Sequence, residues 1–219
     1  MTESVHDRAA RENDELRDKV LVEMLRHVPF DGWSVQALTA AEESGGLGKG
    51  AAYRAFPNGL SDAAAHASDY FDRLALARLN DFDLAAMKIR ERIAAGVRAR
   101  IEVMEPHREA VRRLLGFMAL PTNKTLSWRL AWQTCSDIWY AAGDDATDFN
   151  HYTKRGLLFP VYTTTTLYWL SDDSEGRAGT WGYLERRISD VLKIPGYQAK
   201  AKKALERLPN PFRSLRRAG

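Results

Sequence analysis

Apolar residues recur along most of this chain at spacings of three and four, while strict alternation of apolar and polar positions is almost absent. That periodicity predicts helices throughout. Leu16, Val20, Met24 and Val28 form one stripe, flanked by Leu21 and Leu25. Ser34 precedes a short helical pattern through Ala41. A glycine-rich break, "SGGLGKG", leads into "AAYRAFP". Ser61 is the expected cap of an alanine-rich helix running to about Asn80. Ile89, Ile93, Val97 and Ile101 make the cleanest stripe. Pro106 stands where a first-turn proline opens a helix, which ends near Leu120–Pro121. "LSWRLAWQTCSDIWYAAG" reads as a helix that stops at Gly143, in the position of a C-terminal glycine. Thr147 is expected to cap the next helix, with a kink at Pro160 and an end within Ser171–Gly179. Thr180 starts the last one, carrying Trp181, Leu184, Ile188 and Leu192 as far as "IPG". The expected fold class is all-α, without internal repeats.

Composition changes this picture little. With 219 residues, 45% of them hydrophobic, the chain can bury a core, as one domain or as two small helical units sharing one. The single cysteine, Cys135, excludes an internal disulfide and any zinc cage built on paired cysteines, and reads as a small buried hydrophobe. The apolar run "LLGFMAL" is too short to cross a bilayer. "MTESVHDRAARENDELRD" has no apolar stretch and more acids than bases, which fits neither a secretory signal nor a transit peptide.

Charge is more informative. From Pro195 onward there are seven Lys and Arg residues against Glu206 alone, a net +6, so the preceding 194 residues carry −3 of the chain's overall +3. The basicity belongs to a tail.

The stretch "AAGDDATDFNHYTKRG" (141–156) is the densest in chemistry-bearing side chains. A general base needs a perturbed pKa, yet Asp144 and Asp145 follow Gly143 in a turn where carboxylates are solvated. Thr147 and Asp148 suit a helix N-terminus, where side-chain oxygens accept orphan N–H groups. Gly143, Thr147 and Asp148 are therefore expected to be structural caps. Asp148 and His151 share a helix face, but no second Glu-x-x-His pair lies in the helical body to complete a di-iron site. No catalytic residue, metal ligand or cofactor is expected, and the chain reads as a non-enzyme.

"AGDDATDFNHYTKRGLLFPVYTTTTLYWLSDDS…TWGYLERRI" resembles the signature of the coenzyme Q (ubiquinone) biosynthesis protein nine family over some fifty residues. "GWSVQALTAAEESGGLGKGAAYRAFPNGLSDAAAHA" resembles more loosely the helix–turn–helix half of TetR regulators, including Lys49, Tyr53 and Phe56–Pro57. The two resemblances agree, since the protein nine family is similar to TetR regulators that took up lipid binding. They imply a TetR-like helical fold and a non-enzymatic accessory role in ubiquinone biosynthesis. The expected organisation is a flexible N-terminus (1–14), a helix–turn–helix unit (15–80), a helical lipid-binding and dimerising domain (81–194) and a basic amphipathic tail (195–219). The expected place is the cytoplasmic side of a bacterial inner membrane, as a peripheral homodimer.

DNA binding is the rival function, that of a TetR-type repressor sensing a small apolar ligand. Specific and non-specific DNA binding both rest on several Lys or Arg contacts to phosphate. Residues 31–60 offer Lys49 and Arg54 against Asp31, Glu42 and Glu43, a net −1. No nucleic-acid partner is expected, and the helix–turn–helix reads as vestigial. In the tail, Lys202, Lys203, Leu205, Leu208, Phe212, Arg213, Leu215 and Arg216 form a basic, partly apolar segment suited to an anionic membrane surface.

Aromatic residues concentrate in the second half, and a prenylated quinone or other isoprenoid lipid needs a mostly apolar pocket. The expected lining is Phe117, Met118, Leu130, Trp132, Leu158, Phe159, Tyr162, Thr165 and Trp169. Trp139 and Tyr140 are adjacent, so both cannot face one core, and an exposed aromatic beside an acid is a docking candidate. The resemblance implies that Asp137, Trp139 and Tyr140, with Leu126, dock the di-iron hydroxylase of the pathway.

Overall fold

The computed structural model describes residues 5–143 and 149–206, with side chains described for 11–143 and 153–193. Among the described residues all regular structure is helical, with no strand. The helices are α1 (Val5–Asp31), α2 (Val35–Ser44), α3 (Ala51–Ala55), α4 (Leu60–Leu79), α5 (Ile89–Met104), α6 (Arg108–Met118), α7 (Lys124–Ala141), α8 (Phe149–Trp169) and α9 (Ala178–Glu206). Short 3-10 turns fill the links at Leu84–Ala86, Glu105–His107, Pro121–Asn123 and Glu175–Arg177. The fold class is all-α.

Several boundaries follow local chemistry. The Ser34 side chain accepts the Ala37 N–H at 3.2 Å and starts α2. Pro106 lies in the 3-10 turn that leads into α6. Gly143 follows α7 with φ of +88°, the left-handed conformation that ends a helix cleanly. Other boundaries move. α4 begins at Leu60 rather than behind a Ser61 cap, because Gly59 takes φ +68° and turns the chain two residues sooner. α9 begins at Ala178 rather than Thr180, because the Asp172 carboxylate reaches across to accept the Thr180 N–H at 2.7 Å and its hydroxyl at 2.6 Å. α1 already runs from Val5, ahead of residue 15. α9 continues through Pro195 and Gly196, where a stop is expected, since a proline withdraws one ladder hydrogen bond and the flanking turns keep theirs. Thr147 and Asp148 lie outside the described residues.

α8 passes Pro160 as a continuous helix. Pro160 and Gly156 are both exposed, so the carbonyl left without an N–H partner is on the solvated side. The threonine run works by back-bonding: Thr163 donates to Phe159 O at 2.8 Å, Thr164 to Pro160 O at 2.6 Å and Thr166 to Tyr162 O at 2.9 Å. Thr165, fully buried, has no hydrogen-bond partner for its hydroxyl among the described residues.

One hydrophobic core extends from α1 to α9. α1 contributes Val20, Leu21, Met24, Leu25 and Val28, and α5 contributes Ile93, Val97 and Ile101. Ile89, at the open end of the α5 stripe, is exposed. α5 and α7 cross most tightly at Gly96, where a Cβ would stand 2.7 Å from Cγ2 of Ile138. Glu42 of α2 clamps the start of α3: its carboxylate accepts the N–H groups of Gly50 at 2.7 Å and Ala52 at 2.9 Å.

Candidate functional site

A cavity of about 250 Å³ lies between α4, α5, α6, α7 and α8. Its walls are mainly aliphatic: Met104 from α5, Val111, Leu114, Leu115 and Met118 from α6, and Leu130 and Ala131 from α7. Phe71 of α4 closes one side. Ala119 and Leu167 line it and are exposed, so the cavity meets solvent there, between the end of α6 and the outer face of α8.

The buried end is polar. Arg100 of α5 is only 4% exposed, and its Nη1 stands 2.9 Å from the Asp72 carboxylate of α4. Its Nε–H donates to the Tyr162 hydroxyl at 2.8 Å and its Nη2 to the Ser68 hydroxyl at 3.2 Å. Thr134 of α7 donates to the second Asp72 oxygen at 3.1 Å. Burial pushes the Asp72 carboxyl up to about 6, an effect that the Arg100 charge counters only in part. Burial also raises the Tyr162 phenol. A buried ion pair with its remaining lone pairs satisfied in this way is costly to break from one side. Cys135, buried below this floor, has its thiol pushed up to about 12 by burial and is no nucleophile.

Of the expected lining residues, Met118, Leu130 and Tyr162 border the cavity. Leu158, Thr165 and Trp169 are buried elsewhere in the interior, and the Trp169 indole donates to Glu105. Phe117 packs with Trp33, ring centroids 6.5 Å apart. Trp132 and Phe159 join Trp128 in an aromatic cluster, with Trp128 4.3 Å from Phe159 and 6.2 Å from Trp132, and Trp128 itself exposed. The aromatic lining is thus corrected to an aliphatic one, because these rings pack against one another and the core instead. Sequence reading missed Arg100, Asp72 and Ser68. A signal for the charged pair exists: Arg100 falls three residues after Val97 and seven after Ile93, inside the apolar stripe, where a charge requires a buried partner.

The expected docking residues sit on α7. Tyr140 is 74% exposed, whereas Trp139 turns inward and donates its indole N–H to Lys154 O at 3.1 Å. Asp137 shares the Tyr140 side, one helical turn back, and is half-buried, accepting from Gln133 at 2.9 Å. Desolvation raises its pKa. Leu126 is half-buried and packs against the core. Arg92 holds the end of this helix, donating to Ala142 O at 3.0 Å and Met87 O at 3.0 Å. The side chains of Lys202, Lys203 and Leu205, and all of Leu208, Phe212, Arg213, Leu215 and Arg216, lie outside the described residues. Among the described residues, no three His, Cys, Asp or Glu side chains are grouped to hold a metal ion, and no helix is long and apolar enough to cross a membrane.

The COQ9 family model matches residues 125–195, which is α7, α8 and the first part of α9. Along 87% of its length the chain is similar to the ubiquinone biosynthesis protein COQ9, mitochondrial, of Homo sapiens, at 29% identity, and of Rattus norvegicus, at 30%. A probable ubiquinone biosynthesis protein coq9, mitochondrial, of Dictyostelium discoideum is 28% identical over 82% of the chain. The chain spans 62%, 63% and 60% of these three proteins. The expectation of a bacterial inner-membrane location is corrected by these relatives, which are named as mitochondrial. Its basis was the composition of the first residues, and that composition does not decide a compartment in a chain shorter than its relatives. With the family region at residues 125–195 and relatives that align along most of its length, this chain is similar to the COQ9 proteins.

Proposed function

We propose that this chain serves ubiquinone biosynthesis as a non-enzymatic, lipid-binding accessory protein. It takes a prenylated quinone intermediate into the cavity between α4 and α8, and it docks a di-iron hydroxylase through Asp137 and Tyr140, supported by Trp139 and Leu126. The basic tail brings it to an anionic membrane surface, where such lipids reside. The observation that carries this reading is the apolar cavity itself, walled in part by helices of the COQ9 family region and closed by a few convergent polar groups. The ubiquinone biosynthesis role named in its relatives supplies the lipid class.

The test is lipid extraction from the purified chain followed by mass spectrometry, with a prenylated quinone titration alongside. A co-purifying prenyl lipid is expected; no such lipid and no binding of added quinone defeats the reading. Hydroxylase capture by wild-type chain and by Tyr140→Ala tests docking. That side chain is 74% exposed, so the substitution should reduce capture with the melting temperature unchanged.

The rival, a TetR-type repressor, gains little from the geometry. Glu42 occupies the N–H groups at the start of α3, and Ala51, Ala52 and Ala55 are buried, which leaves Tyr53 and Arg54 as the exposed side chains of that five-residue helix. A gel shift with upstream genomic DNA at low salt, and its salt slope, distinguishes the two.

A further inference from the structure

The floor of the cavity has more hydrogen-bonding capacity than the described residues use. The Tyr162 hydroxyl accepts from Arg100 Nε at 2.8 Å, and the Ser68 hydroxyl from Arg100 Nη2 at 3.2 Å. Neither hydroxyl donates to any described residue. Their neighbours behave otherwise: Thr134 donates to Asp72 and Leu130 O, Thr163 to Phe159 O and Thr166 to Tyr162 O. Tyr162 is 7% exposed, so its remaining hydrogen has little access to bulk water. An unmet buried donor is costly, and a hydroxyl that already accepts from a guanidinium is polarised into a stronger donor.

We propose that the Tyr162 and Ser68 hydroxyls are an anchor for a hydrogen-bond-accepting oxygen on a neutral ring, the head of the bound lipid. This rests on the lipid-binding reading above and adds the orientation and head chemistry. Asp72, 2.9 Å from Arg100, offsets the guanidinium charge, so the floor suits a carbonyl, methoxyl or phenol oxygen rather than a carboxylate or phosphate. The ring enters first and the prenyl chain runs past Leu114 and Leu115 toward the exposed Leu167. Volume agrees with this arrangement. A cavity of about 250 Å³ is just below the roughly 300–1,000 Å³ of pockets that enclose drug-sized ligands. It therefore holds a ring and the start of its tail, and the rest lies outside the mouth.

The experiment uses the full chain and two probes: a short-tailed prenylated benzoquinone, and a hydrocarbon with the same tail on a ring without oxygens. Affinities come from calorimetry, with circular dichroism to confirm folding. Tyr162→Phe should weaken the quinone about tenfold, the loss of one good hydrogen bond, and leave the hydrocarbon unchanged. Ser68→Ala should give a smaller loss with the same selectivity, and it decides the matter if Tyr162→Phe fails to fold. Leu115→Trp, which narrows the apolar part, should weaken both probes alike. If both probes bind and neither hydroxyl substitution discriminates between them, the anchor is wrong while lipid binding stands. If neither probe binds the unaltered chain, lipid binding falls and the anchor with it.

Discussion

Gly96 sets the distance between α5 and α7, and replacing it with alanine tests that contact directly. Two effects oppose. Alanine is favoured over glycine in a helix interior by about 1 kcal/mol. The new Cβ, however, would stand 2.7 Å from Ile138 Cγ2, 3.4 Å from Cγ1 and 3.5 Å from Cβ. Relief needs the two helices to part by about 0.7 Å, taking the 2.7 Å contact to the 3.4 Å at which ordinary contact begins. Ile138 cannot swing aside: it is 5% exposed, and a β-branched side chain in a helix keeps essentially one χ1 rotamer. Overpacking of this kind costs about 1–3 kcal/mol, so Gly96→Ala should destabilise by about 1 kcal/mol net and lower the melting temperature by roughly 3 °C. Gly116→Ala is the control. That glycine is exposed in α6 with nothing within 4 Å of its virtual Cβ, and the substitution should stabilise by up to about 1 kcal/mol. In an Ile138→Ala background the penalty at position 96 should vanish, a coupling read from a double-mutant cycle. Urea unfolding followed by circular dichroism measures all five chains, the unaltered one included, and an unchanged slope keeps the comparison a stability comparison. If Gly96→Ala raises the midpoint as Gly116→Ala does, α5 and α7 do not meet at this glycine and the packing described is wrong.

Thr165→Val replaces a fully buried hydroxyl that has no partner among the described residues with an isosteric methyl; the unfolding free energy should rise by about 1 kcal/mol, and a loss would mean the hydroxyl is satisfied after all. Cys135, buried and with its thiol pushed up to about 12, should resist a thiol reagent in the folded chain and react at the rate of unfolding, so rapid labelling under native conditions contradicts its placement. Asp72 carries a pH signature. Its folded pKa is raised from 3.8 to about 6, so the folded chain takes up a proton that the unfolded chain does not; that stabilisation is complete below 3.8 and lost as pH rises through about 6. Asp72→Asn should therefore flatten the decline in stability between about pH 4 and 7, and parallel profiles for the two chains would remove the burial assigned to this carboxylate.

Helices were legible wherever a stripe was long and its partner face was simple. Ile93, Val97 and Ile101 are 6%, 0% and 0% exposed, as their spacing requires. Ser34 was legible because its cap is local. The cavity was not, since its walls come from five helices and no single stretch shows where they diverge. An aromatic residue at helical spacing carries no mark of which surface it meets: Trp169 is wholly enclosed, while Trp128 is 57% exposed. Arg100 stands out within the apolar stripe of α5, but Asp72 looks like an ordinary surface charge until α4 and α5 are placed side by side. Thr180 and Ser61 misled for a related reason, because a cap can be supplied from outside the helix, by Asp172, or replaced by a glycine turn, at Gly59.

The Arg100 fork touches Asp72 and Ser68 on one neighbour and Tyr162 on another, and through Asp72 it reaches Thr134 on a third. A lysine at that position would keep the positive charge yet present one compact ammonium where a planar group now spans several directions at once. Losing this arginine alone would leave the Asp72 carboxylate stranded in the middle of the bundle, so a change on α5 calls for a matching one on α4.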